Sequence, residues 1–132
     1  MGNNVMPQIA ILFAAIAHAE GFWVPGSRPR RNHNPGDLIG KDGVNTPYPD
    51  ILAGAAALHS QLALMLAGSS HVYSLQMTWR HVSLLWTGGD NAAGWCMAVC
   101  EDLGVDPDST IADFVRAVRA PAPAAPEATA AA

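Results

Sequence analysis

The stretch PQIAILFAAIAHAEGF, Pro7 to Phe22, decides how this chain is read. Pro7 suits the first turn of a helix, where a backbone N–H would have no partner anyway. Gln8 to Glu20 carries apolar residues at helical spacing, and Gly21 is a natural terminator. Glu20 therefore falls in the last turn, where the helix dipole disfavours an ionised carboxylate. Its approach is apolar (Ala15, Ile16, Ala19), and Phe22 and Trp23 follow it. Burial among such groups raises a carboxyl pKa and keeps the proton on it near neutrality, as a general acid requires. Taken alone, the same residue also reads as a solvated glutamate at a helix end.

The run from Ile9 to Ala17 is also long enough to imitate a leader, with Ala17-His18-Ala19 as a small-residue cleavage site. No Lys or Arg precedes it, so we read an amphipathic helix and no signal peptide. No segment is long enough to span a membrane.

Outward from this helix, Phe22 to Pro35 reads as irregular, broken by Pro25, Gly26, Pro29 and Pro35 and carrying Arg28, Arg30 and Arg31. Asp37 to Tyr48 has room for a short hairpin about Lys41-Asp42-Gly43. Asp50 to Ala67 reads as a helix that is apolar nearly all round and closed by Gly68, a pattern expected of a central element. Thr78 to Trp86 is a third helix with Thr78 as cap. A fourth starts from Asp90 or Asn91 and ends at Gly104. A last one begins at the capping-box pair Thr110 and Asp113. The expectation is a mainly α single domain over residues 1–119, with a small β-hairpin or irregular insertion after the first helix. Residues 120–132 read as a flexible Ala/Pro-rich tail.

At 132 residues and 50% hydrophobic, the chain can bury a core of its own. Its sparse charge, 14% of residues, and net charge of -4 argue against a nucleic-acid partner. Cys96 and Cys100 fall on one helix face at a spacing poorly suited to a disulfide, and we read them as buried free thiols. Only three glutamates are present. Glu127 lies in the tail and Glu101 beside Asp102 on a solvated face, which leaves Glu20 as the one glutamate in an apolar and aromatic setting.

Ala19-Glu20-Gly21-Phe22 is followed by Asn32-His33-Asn34-Pro35-Gly36-Asp37-Leu38. Then come an apolar helix with Gly54 and Ala55, Trp86-Thr87-Gly88-Gly89-Asp90, Trp95, and Leu103-Gly104-Val105. In this order the sequence resembles the phage and bacterial lysozyme-like proteins related to soluble lytic transglycosylases, over roughly Ile9 to Val118. The resemblance implies a lysozyme-like fold and an enzyme that cleaves the β-1,4 bond between N-acetylmuramic acid and N-acetylglucosamine in peptidoglycan. Glu20 would be its acid/base, with no cofactor and no metal. It implies that Asn34, Gly36 and Asp37 line the cleft, that Trp86 and Thr87 form the opposite wall, and that Asp90 contributes to substrate binding. It further implies a monomer made in the bacterial host cytoplasm, acting on glycan strands after release or together with phage virion proteins, without membrane insertion. His33 and Trp86 depart from the residue types expected at their positions. If a hydroxyl normally orients the glutamate, either Thr87 supplies it here or nothing does.

Without the resemblance, Asn32 to Gly36 are ordinary turn formers. Trp79, Trp86 and Trp95 read equally as core residues with bonded N–H groups, and the arginines as a solvated loop. His59, His71 and His81 show no ligand spacing. With no second carboxylate placed by motif, the reading leans to a lytic transglycosylase. A hydrolytic lysozyme using Asp37 or Asp90 is the alternative. A non-catalytic virion or wall-binding component is a further one. His18-Ala19-Glu20 with the two cysteines also matches part of a zinc-deaminase signature, but the P-C-x-x-C half and the α/β pattern are missing.

Overall fold

The computed structural model describes residues 6–119, and the expected tail lies outside them. Six helices make a mainly α architecture: α1 (Met6–Ala19), α2 (Arg28–Arg31), α3 (Ile51–Ala67), α4 (Trp79–Thr87), α5 (Ala92–Leu103) and α6 (Ile111–Arg119). The core is built from residues three and four apart on each helix. Ile9, Leu12 and Ile16 meet Leu58, Leu62 and Met65, with Trp79, Val82, Val99, Ile111 and Phe114 closing around them. The hub is α1, which packs against α3, α5 and α6, whereas α3 packs on α1 and α6. The near-uniform hydrophobicity of α3 thus does not make it central, since Ile51, Leu52 and Leu64 stay exposed. Among the described residues no helix is long and apolar enough to cross a membrane.

Most helix ends carry the signals read from sequence. Asp50 caps α3 through Ala53 N–H, Thr78 caps α4 through His81 N–H, and Gly68 closes α3 in the left-handed region. Thr110 and Asp113 exchange both capping-box hydrogen bonds. Two readings need correction. Asn91 holds the N-cap position of α5 but makes no side-chain cap bond. The arginine segment is not wholly irregular: Ser27 caps the short helix α2, and Pro29 lies in its first turn. The hairpin reduces to a single antiparallel bridge between Ile39 and Asn45.

The loop between α2 and the bridge lies tightly on α3. A Cβ at Gly54 would stand 1.6 Å from the His33 carbonyl oxygen, and one at Gly36 would meet Leu58 at 2.7 Å. Only a helix with glycine there admits the loop at this depth.

Candidate active site

At the C-terminus of α1, Phe22 N–H reaches the Ala17 carbonyl and Gly21 N–H reaches that of His18. This is the Schellman arrangement, with Gly21 at φ 75°. Glu20 is thereby the C-cap, one position beyond the helix rather than in its last turn. The helix end fixes its backbone, and α5 fixes its side chain: Trp95 Nε1–H donates to Glu20 Oε2 at 2.8 Å. Burial pushes the carboxyl up to about 7, with nearby Asp37 adding in the same direction. The Trp95 hydrogen bond opposes this, and the nearby Trp86 indole and Arg28 oppose it more weakly. Desolvation wins, so the group is poised to give and take a proton near neutrality.

Trp95 stacks on Trp86, ring centroids 5.8 Å apart at 27°, and the Tyr73 ring lies at the same centroid distance from Trp86, tilted by 30°. The Trp86 N–H is directed at the Gly36 carbonyl, at 3.2 Å, which ties α4 to the loop across the cleft. Thr87 does not orient the glutamate. Its hydroxyl donates to the Ser83 carbonyl one turn back, at 2.7 Å, and accepts from Gly89 N–H. The orienting donor is Trp95, which the sequence offered as a core residue and as part of the family-like motif order, with no role assigned. Trp79 is the purely buried tryptophan, and its N–H meets no acceptor among the described residues, contrary to the expectation of a bonded one.

Asp37 sits on the opposite wall with its side chain only 6% exposed, paired with Arg28. Arg28 Nε is 3.2 Å from both carboxylate oxygens, and a second nitrogen binds one of them. This contact holds the guanidinium pKa above its usual value. Asp37 has positive φ, as does His33, and Asn45 donates to its backbone carbonyl.

Glu20, Asp37, Trp86, Thr87 and Asp90 line one cleft of about 140 Å³, together with Arg28, Asn45 and Trp95. A larger groove of about 540 Å³ adjoins it through Asp37, Ile39 and Trp86, and reaches Tyr48 and Gln61. Two expected lining residues are placed elsewhere. Asn34 is fully buried: its amide binds the Leu38 backbone at both N–H and carbonyl, and the Thr46 carbonyl. It builds the loop that carries Asp37. Gly36 is buried too, and it offers the cleft only the carbonyl that holds Trp86.

His18 is bound to Asp102 at 2.7 Å, clasping α1 to α5, and both cysteines are free and buried. Among the described residues no group of three or more His, Cys, Asp or Glu is arranged to hold a metal ion. Arg30 lies over the Phe22 and Trp23 rings, and Arg31 binds the Gly26 carbonyl. Comparison with known proteins matched no family model, no curated protein and no solved structure.

Proposed function

We propose that this protein is a lysozyme-like enzyme that cleaves the β-1,4 glycosidic bond of peptidoglycan by lytic transglycosylation. The observation that carries the reading is one carboxyl, raised to about 7, at the mouth of an open cleft that continues into a longer groove. Glu20 protonates the oxygen leaving the muramic acid C1 as the C1–O bond breaks. The resulting carboxylate then takes the proton of the muramic acid 6-hydroxyl while O6 bonds to C1. Glu20 ends protonated, ready for the next cycle, and the attacking hydroxyl is already tethered at high effective concentration.

A hydrolase would need a second carboxylate, as nucleophile or as base for water. Asp37 shares the cleft, but both of its oxygens are engaged by the Arg28 guanidinium, which leaves neither free to attack the sugar or to hold a water. Asp90 is exposed at the rim and is the position from which a hydrolytic variant of the mechanism would draw its base. Mass spectrometry of muropeptides released from purified peptidoglycan separates the two. Anhydro ends support the transglycosylase, and reducing ends alone support the hydrolase. In either case the protein would meet the wall after release from a bacterial host or as a virion component.

A further inference from the structure

Outside the cleft, the loop after Glu20 builds a second surface. Residues 21–36 hold three arginines and one histidine and no carboxylate, in a chain of net charge -4. Arg28 is neutralised by Asp37, while Arg30 and Arg31 have no ion-pair partner among the described residues. Beside Arg30 stand apolar groups in water: Trp23, which is 62% exposed, and Ile51, with the exposed Val24 next to Trp23 in the chain. Phe22, Trp23, Arg30, His33 and Ile51 line a shallow hollow of about 350 Å³. The Arg30 guanidinium lies 5.3 Å from the centroid of the buried Phe22 ring and 6.0 Å from that of Trp23. Together with the Phe22 ring, edge-on to Trp23 at 5.0 Å, it steadies an indole whose remaining surface is open.

We propose that this face docks the protein on an anionic phospholipid bilayer. An exposed indole beside aliphatic side chains suits the boundary between headgroups and acyl chains, and guanidinium groups beside it suit lipid phosphates. A glycan would need acceptors as well as donors around the indole for its hydroxyls, and the side chains lining this hollow include Arg30 and His33 but no carboxylate or amide. The negative net charge makes general attraction to such a membrane unfavourable, so binding must come from the patch. This proposal does not depend on the catalytic reading.

The test is sedimentation of the full chain with vesicles containing phosphatidylglycerol and with vesicles of phosphatidylcholine alone, with tryptophan emission recorded. The expected result is binding to the anionic vesicles only, weakened by salt, with a blue shift that Trp23→Phe abolishes. Arg30→Gln lowers the partition coefficient about fivefold. Trp23→Ser lowers it about tenfold or more. Circular dichroism confirms that both variants fold, since both side chains are exposed. Absence of binding to the anionic vesicles overturns the proposal, as does equal binding to neutral ones or wild-type binding by both variants. Capture by insoluble glycan that depends on Trp23, with vesicles ignored, overturns it in favour of a carbohydrate surface.

Discussion

Replacing Glu20 by Gln gives the most informative stability experiment, because it reads the burial of the carboxyl without any substrate. The folded pKa stands at about 7 against an ordinary value of 4.5. Below 4.5 the folded and unfolded chains both hold the proton, and stability does not depend on this group. From 4.5 to about 7 the unfolded chain ionises while the folded protein stays protonated, so stability falls as pH rises. Above about 7 both forms are ionised and the dependence ends. At about 1.4 kcal/mol per pH unit the loss across this window is ~3 kcal/mol. Gln never ionises and can still accept the Trp95 hydrogen bond through its carbonyl oxygen. The variant therefore gains on the wild type as pH rises through the window, by ~3 kcal/mol or on the order of 10 °C in Tm. Asp108, held low by Arg80, and Asp113, held low by the Thr110 N–H, titrate with the opposite sign but identically in both proteins. Taking the difference between the two curves removes them. Urea unfolding of both proteins across the acid-to-neutral range supplies the measurement. A difference that stays constant with pH would refute the claim that Glu20 is desolvated.

Three further outcomes follow from the geometry. Gly54→Ala forces a methyl group into the His33 carbonyl and should cost about 3 kcal/mol or more, with loosening of the loop that carries Asp37; an unchanged Tm would contradict the close approach. Trp95→Phe removes the hydrogen bond that lowers the Glu20 pKa, so the alkaline limb of activity should move up by about one to two pH units. A limb that stays in place or moves down would show that Trp95 does not hold the carboxylate. Asn34→Ala strands the Leu38 N–H and the Leu38 and Thr46 carbonyls and should lower stability by ~2 kcal/mol or more, read by urea unfolding.

Helix placement was legible in the sequence because its signals are local. Thr78, Asp50 and Thr110 each satisfy N–H groups three residues on, and Gly68 and Gly104 end helices through their own backbone freedom. The short helix α2 was missed although Ser27 and Pro29 are a start signal, because the surrounding prolines and glycine suggested irregular chain. In the site, Glu20, Asp37, Trp86, Thr87 and Asp90 were each named from sequence, and the fold brings them together. What was not legible was who holds whom. Trp95 reaches Glu20 across 75 residues and Trp86 reaches Gly36 across 50, and no periodicity encodes either contact. Asn34 looked like cleft lining for the same reason. A turn-forming asparagine reads alike whether its amide faces solvent or fastens three backbone groups.

The central claim is that Glu20 supplies the proton that breaks the glycosidic bond, and the rate of cleavage of purified peptidoglycan by Glu20→Gln tests it most directly. The substitution keeps the size of the side chain and removes the transferable proton. We expect folded protein whose rate is lower than wild type by a factor of about 10²–10⁴. A folded Glu20→Gln protein that cleaves at more than about a tenth of the wild-type rate would contradict the account, since a lost general acid costs far more than that.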